Sequence, residues 1–145
     1  MTTTSQRRRS RELVLQGLYQ RQLSGNAAVA IHDDLVASPG FLRADQPYFE
    51  ELWRGVGDDY GALLAALAPH LDRTPEKLSP VERAILVIGA WELVQRVEIP
   101  YRVVINEAVE LAKSFGGTDG YRFVNGVLDK LAAKTRAAEI AAVAR

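Results

Sequence analysis

Apolar residues recur every three or four positions along almost the whole chain, and this spacing predicts helices. No stretch combines strict alternation of apolar and polar residues with β-branched residues and hairpin turns, which would be typical of strands. The pattern therefore predicts an all-α fold, a single compact bundle of about seven helices.

Glycine, proline and short polar side chains mark where these helices begin and end. The predicted helices cover Arg7 to Leu23, Ala27 to Ala37, Asp45 to Gly57, Asp58 to Pro69, Ser79 to Ile99, Pro100 to Phe115, and Asp119 to Lys134. The spacing leaves open whether residues 47–71 form one kinked helix or two. We expect the alanine-rich residues after Lys134 to fray.

The clearest helix start is Ser79-Pro80-Val81-Glu82, because it combines a capping box with proline in the first turn. Residues 84–91 are apolar on nearly every face, which predicts that this helix is surrounded by the others. In the helix that follows, Phe115 is predicted to belong to the apolar stripe and Glu107 to the wet face.

Length and composition favour one globular domain. The chain has 145 residues, of which 48% are hydrophobic and 25% charged, so it can bury a core that offsets the loss of chain entropy. The stretch from Pro69 to Pro80 suggests an alternative division into two helical subdomains near residue 75. We expect a single helical domain over residues 1–145.

Several kinds of chemistry find no support in the sequence. The chain has no cysteine, which excludes disulfides, thiolate metal sites and cysteine nucleophiles. His32 and His70 have no second ligand at helical spacing, and carboxylate pairs such as Asp58-Asp59 suit helix caps or solvated faces. Phosphate loops and nucleophile elbows are absent from the sequence. We therefore expect no enzyme activity, no cofactor and no metal site.

The sequence also lacks the signals of membrane insertion and secretion. Its longest stretch without a charged residue is Tyr60 to Leu71, 12 residues, whereas a membrane-spanning helix needs about 20 apolar residues. The first ten residues are polar and basic and lead into no apolar signal core. We expect a cytoplasmic protein.

Charge is balanced overall but unevenly distributed. The formal net charge is zero, yet residues 1–23 contain five arginines and one acid. Four of these arginines are Arg7, Arg8, Arg9 and Arg11, and helical geometry lets the basic side continue the core-facing stripe. One hypothesis is a phosphate-binding patch, because guanidinium groups form bidentate bonds with phosphate. The other is a solvated, frayed amino terminus.

A second candidate for nucleic-acid binding lies between Thr118 and Asp129. Tyr121, Arg122, Phe123 and Asn125 combine two aromatic rings, a cation and an amide within five residues. This composition suits single-stranded RNA, whose unstacked bases bind aromatic rings and amides. Phe123 also fits the core line of its helix, whereas Arg122 and Asn125 lie off that line.

A glycine occurs inside the same predicted helix. Gly126 is costly there by about 1 kcal/mol relative to alanine, which suggests close approach by another backbone or by a ligand.

Four motifs occur together along the chain. They are Arg7-Arg8-Arg9 with Arg11-Glu12, Gln16-Gly17-Leu18-Tyr19, the run from Ile105 to Lys113, and the run from Phe123 to Asp129. Together they resemble the NusB family of bacterial transcription antitermination factors, over residues 7 to about 131. The resemblance implies an all-helical, non-enzymatic protein that binds the boxA element of nascent ribosomal RNA transcripts.

The resemblance also implies site residues and partners. The RNA-binding residues it implies are Arg7, Arg8, Arg9, Arg11, Asp119, Arg122, Phe123 and Asn125. The protein partner is NusE, a ribosomal protein of the small subunit, and it is expected near Tyr19 and Glu82. Both would act with RNA polymerase in an antitermination complex, and a homodimer is left open.

The sequence leaves two alternatives to this interpretation. The first is a free-standing relative of the helical RNA-binding domain of some ribosomal RNA cytosine methyltransferases. If the chain is complete at Arg145, no residues remain that could hold their cofactor, and a free-standing factor is the expectation. The second is a helical protein-interaction module that uses the acidic residues 24–72 and binds no RNA.

Overall fold

The computed structural model describes residues 3–144, so the ends of the predicted domain, residues 1–2 and 145, lie outside the described part. The described residues form eight α-helices and no strand, which confirms the all-α prediction. The helices are α1 (Thr4–Ser24), α2 (Ala28–Val36), α3 (Gln46–Asp58), α4 (Tyr60–Leu67), α5 (Pro80–Gln95), α6 (Tyr101–Phe115), α7 (Gly120–Thr135) and α8 (Ala137–Ala144). Three short 3-10 turns cover Pro39–Arg43, Ala68–His70 and Pro75–Lys77.

The helices pack into two compact units, Met1–Asp58 and Asp59–Arg145. The boundary falls between α3 and α4, so residues 47–71 hold two separate helices. It lies before the stretch from Pro69 to Pro80, where the sequence suggested a division near residue 75. The boundary precedes α4 because α4 packs on α5 and therefore belongs with the helices that follow it.

The amino-terminal unit is built on α1, which packs against α2, α3 and the turn Pro39–Arg43. The helix begins with a capping box, in which the Thr3 side chain accepts from Gln6 and the Gln6 side chain accepts from Thr3. It ends at Gly25, which adopts the left-handed conformation that glycine tolerates. Gly17 lets Trp53 lie against α1, because a Cβ there would be 2.6 Å from the indole ring.

The carboxy-terminal unit surrounds α5, whose residues from Ala84 to Leu93 are all buried. The helices α4, α6 and α7 pack on it, which confirms the prediction of a central helix. Ser79 caps its first turn, since the hydroxyl accepts from the Glu82 N–H at 3.1 Å and donates to the Glu82 carboxylate at 2.7 Å.

Two predictions about α6 were wrong. Glu107 is buried and not on the wet face. The reason is that α6 packs on both α5 and α7, so the buried side of α6 is wider than its stripe of apolar residues. Phe115 is 49% exposed, because it is the last residue of α6 and lies where that helix ends. The predicted fraying after Lys134 was also wrong, since residues 137–144 form α8.

A buried arginine connects three of these helices. The guanidinium of Arg136 donates hydrogen bonds of 2.8 to 3.2 Å to four backbone carbonyls, those of Glu92, Leu93, Arg96 and Ile99. It also donates to Glu139 at 2.6 Å. The carbonyls near the end of α5 have few partners within the helix, so Arg136 satisfies them and complements the negative end of the helix dipole.

Glu139 links α8 to the start of α6. Its carboxylate accepts from the Tyr101 N–H at 2.9 Å, and this bond, helped by Arg136 and opposed by burial, lowers its pKa below the usual 4.5. A lowered carboxyl pKa stabilises the fold above the pKa of the unfolded chain. That contribution is lost as the pH falls below 4.5 and through the lowered pKa.

Replacement of Arg136 by methionine is expected to cost about 3–5 kcal/mol of unfolding free energy, because it removes the side-chain donor of four backbone carbonyls and one of the two partners of the Glu139 carboxylate. Urea unfolding followed by circular dichroism measures this change. Arg102 is exposed on α6, so Arg102→Met serves as the matched control and should change stability by less than about 0.5 kcal/mol. Equal effects of the two substitutions would show that Arg136 is not an anchor.

Candidate nucleic-acid interface

The four arginines of α1 do not share one environment. Arg7 and Arg11, one turn apart, lie over the ring of Tyr48 from α3, with their Cζ atoms 4.2 and 5.7 Å from its centroid. Tyr48 is itself buried. These two arginines therefore continue the packed side of α1, as helical geometry predicts for them.

Asp45 orients this contact between α1 and α3. Its backbone N–H donates to the Gln6 carbonyl at 3.1 Å, and its own carbonyl accepts from the Ser10 hydroxyl at 2.7 Å. Its carboxylate accepts from the Tyr48 N–H at 3.2 Å and lies 3.9 Å from Arg7 Nε. Asp45 thus begins α3 and holds it against the basic end of α1.

Arg11 is only 3% exposed, which argues against the predicted contact with RNA. The physical reason is its position on the packed side of α1, where Tyr48 covers it. Arg8 is exposed, and Arg9 is partly exposed and pairs with Glu12 at 3.1 Å. The guanidinium groups that can reach a phosphate are therefore those of Arg8, Arg9 and, at the edge, Arg7.

Arg7 differs from Arg8 and Arg9 because one nitrogen of its guanidinium is buried without a hydrogen-bond partner. Its Nε is inaccessible and makes no hydrogen bond with any residue of the described chain. The 3.9 Å to Asp45 is an ion-pair distance and too long for a hydrogen bond. Arg7 is therefore held by its ring contact and its charge while its outer nitrogens remain able to bind an anion.

The second predicted patch begins at α7. Asp119 precedes the helix with φ of 65°, a left-handed conformation that aspartate tolerates better than most residues. Arg122 is 73% exposed, lies 3.5 Å from the Asp119 carboxylate and donates to the Tyr121 hydroxyl at 3.1 Å. Lys113 from α6 lies 5.3 Å from the Tyr121 ring. Two cations therefore flank one accessible aromatic ring.

Phe123 and Asn125 lie on different sides of α7, about 160° apart around the helix. Phe123 is half-buried, and not part of the core as its spacing suggested, because the guanidinium of Arg73 covers its ring at 4.9 Å. Asn125 is exposed, and its side chain makes no hydrogen bond within residues 3–144. The amide is therefore free to bind a base edge, and a bond between helices does not explain it.

The two residues expected at the protein partner lie in different units. Tyr19 on α1 is 39% exposed. Glu82 at the start of α5 lies beside Gly120, where an added Cβ would be 3.7 Å from the carboxylate. Glu82 is therefore a neighbour of the second patch and does not form a separate surface from it.

Sequence reasoning missed several cations of the second patch. Arg73 and Lys113 come from segments remote from α7, so spacing along the chain gave no signal for them.

Burial chiefly lowers the pKa of His70, and the charges of Lys134 and Lys130 lower it further. These two lysines of α7 therefore create a positive potential at the turn Ala68–His70.

We also searched the described residues for a histidine site, a metal site and a membrane-spanning helix. His32 binds the Glu50 carboxylate at 2.8 and 2.9 Å beside a groove of about 410 Å³ in the amino-terminal unit. Within residues 3–144, no three histidine, aspartate or glutamate side chains converge as metal ligands would. None of the helices described here has the length and apolar character needed to cross a membrane.

The environments of the arginines predict different effects of truncation. Arg11→Ala is expected to lower the unfolding free energy by about 2 kcal/mol, because it removes a buried cation from the Tyr48 ring. Arg8→Ala should change it by less than about 0.5 kcal/mol, since the side chain is exposed. Urea unfolding of both variants measures the difference. A stability loss as large for Arg8→Ala would contradict the assignment of Arg11 to the packed side.

Comparison with known proteins shows the family of this chain. The model of the NusB family matches residues 8–133. Two similar proteins are named transcription antitermination protein NusB. That of Cupriavidus pinatubonensis is 58% identical over 95% of this chain and 83% of its own length. That of Paraburkholderia phymatum is 57% identical over 97% of both.

Solved structures show the same fold. A structure of T. maritima NusB is 28% identical, covers 92% of this chain and 94% of its own, and superposes with a TM-score of 0.80. A second structure, of antitermination factors NusB and NusE in complex with dsRNA, has a TM-score of 0.80 at 23% identity. It covers 89% of this chain and 97% of its own, and it supports the fold. The chain belongs to the NusB family, whose members are transcription antitermination factors and not enzymes.

Proposed function

We propose that this chain is a cytoplasmic, non-enzymatic transcription antitermination factor that binds single-stranded boxA-type RNA of nascent ribosomal RNA transcripts together with NusE. The observation that carries the proposal is the cluster of accessible arginines at the start of α1, in a chain of zero net charge that belongs to the NusB family. It acts within the antitermination complex of RNA polymerase.

The first RNA contact is the amino-terminal end of α1. Arg8 and Arg9 are accessible there, and Arg7 lies beside them over the ring of Tyr48. The first turn of α1 has no acidic residue, so the arginine charges add to the positive end of the helix dipole. Such a surface favours phosphates of any sequence, so this patch supplies affinity and little discrimination.

The second RNA contact is the start of α7, where Asp119, Arg122, Phe123 and Asn125 lie. The rings of Tyr121 and Phe123 have cations beside them, and stacking on such rings holds unpaired bases. The free amide of Asn125 and the carboxylate of Asp119 offer acceptors and donors to base edges. This patch therefore supplies the discrimination between RNA sequences.

The protein partner is NusE, the protein named with a NusB relative in one of the similar structures. Glu82 presents a carboxylate that suits a basic ribosomal protein, and exposed Tyr19 offers an amphipathic ring. Because Glu82 lies beside Gly120, a protein bound at Glu82 would also border the second RNA contact. RNA and NusE are therefore expected to bind cooperatively, with a coupling of about 1–3 kcal/mol.

The salt dependence of RNA binding tests the proposal. About four phosphate contacts to single-stranded RNA predict a slope of roughly −3 in a plot of log affinity against log salt concentration. The double variant Arg8→Ala, Arg9→Ala should make this slope shallower by about 1.4 and weaken binding of all RNA sequences alike. Fluorescence anisotropy with labelled boxA RNA at several salt concentrations measures both quantities.

A matched control removes two exposed arginines elsewhere, with Arg54→Ala and Arg102→Ala. This control has the same net charge as the test variant and should keep the wild-type slope. Equal slopes for the two double variants would show that α1 is not the phosphate contact. Failure of the wild-type chain to bind any single-stranded RNA would favour the alternative of a protein-interaction module.

A further inference from the structure

Gly126 lies in the interior of α7, where glycine lowers the stability of a helix. It is the seventh of the sixteen residues of α7, and glycine disfavours a helix interior. Gly17 and Gly89 are also helical, but a Cβ at either would come within 2.6 or 2.8 Å of a packed side chain. A Cβ at Gly126 would meet no atom of the described chain within 4 Å. Packing within the protein therefore does not explain this glycine.

Two cations flank Gly126 on the exposed face of α7. At 100° per residue, Arg122, Gly126 and Lys130 fall within an arc of about 80°, one turn apart from each other. All three are exposed. A ligand that crosses the helix at Gly126 would therefore have a positive group on each side of it.

The rest of α7 favours an anionic ligand at this place. The helix carries three cations, Arg122, Lys130 and Lys134, against one acid, Asp129. Lys130 and Lys134 act on His70, so the positive potential continues beyond Gly126 to the turn Ala68–His70.

We propose that the RNA strand crosses α7 in direct contact with the backbone at Gly126, between Arg122 and Lys130. This inference rests on the proposed function and extends the second RNA contact by a full turn of α7. The missing side chain leaves room for a sugar or phosphate to touch the helix, while Lys130 neutralises the next phosphate. Gly126 thus contributes by leaving space for the RNA backbone. Lys130 is an RNA-binding residue in addition to those that the sequence predicts.

The alternative occupant is a protein chain, because close approach to a glycine also suits a peptide backbone. The charge on this face favours RNA. Two cations flank Gly126, and a basic ribosomal protein would be repelled by them.

The test uses Gly126→Ala and Gly126→Gln, two good helix formers that add a small and a large side chain. Both should raise the melting temperature, by about 2–4 °C, because they relieve the cost of glycine in the helix. Gly126→Gln should weaken the binding of labelled boxA RNA by about tenfold, the loss expected for one displaced charged contact, and Gly126→Ala by less. A rise in stability together with a loss of affinity is a result that general damage to the fold would not produce.

Gly61 provides the matched control, because it is exposed near the start of α4 and a Cβ there also meets no atom within 4 Å. Gly61→Gln should leave the RNA affinity unchanged. If the wild-type chain binds RNA and Gly126→Gln binds it equally well, the inference is wrong and the proposed function stands. If Gly126→Gln weakens only the binding of NusE, the face belongs to the protein partner. If the wild-type chain binds no RNA, both proposals fall.

Discussion

The carboxy-terminal unit depends on the hydrogen bonds that Arg136 makes at the end of α5. A guanidinium buried without partners would cost several kcal/mol, so this residue is tolerated only because carbonyls and Glu139 surround it. The carbonyls gain a charged donor, which those of Glu92 and Arg96 accept in addition to the backbone N–H groups of Arg96 and Ile99. Through this one group, the end of α5, the turn into α6 and the start of α8 have fixed positions. The opposite end of α5 carries Glu82, so the same helix that Arg136 anchors presents the expected partner residue beside Gly120.

Local signals predicted much of the helical framework, and the structure shows why. The start of α5 follows from Ser79, Pro80 and Glu82, because a cap acts on N–H groups within three residues of it. The end of α1 follows from Gly25, since only its own φ is involved. Arg136 was not predicted, because its partners lie about forty residues earlier in the chain. Glu107 was wrongly predicted to be exposed for the same reason. It is covered because α6 packs on two other helices, and the sequence pattern of α6 does not show the second of these contacts.

The sequence did not show which side chains of the candidate site are accessible. Spacing showed that Arg7 and Arg11 continue the core-facing stripe, but it could not show that Tyr48 would cover Arg11 and leave Arg8 exposed. Phe123 fitted the core line of α7, yet Arg73 covers it in place of another apolar side chain. In both cases an arginine contacts an aromatic ring from another segment of the chain. The chain thus uses arginine both to pack its surface and to present charge, and only the neighbours decide between the two roles.

We expect RNA to bind this chain at two places, the start of α1 and the exposed face of α7. Backbone amide chemical shifts, measured by NMR during titration with boxA RNA and then with NusE, test it residue by residue. RNA-dependent changes are expected at residues 4–11 and 119–130, followed by changes at Tyr19 and Glu82 when NusE is added. Changes confined to the groove beside His32, or no change with RNA at either place, would contradict it.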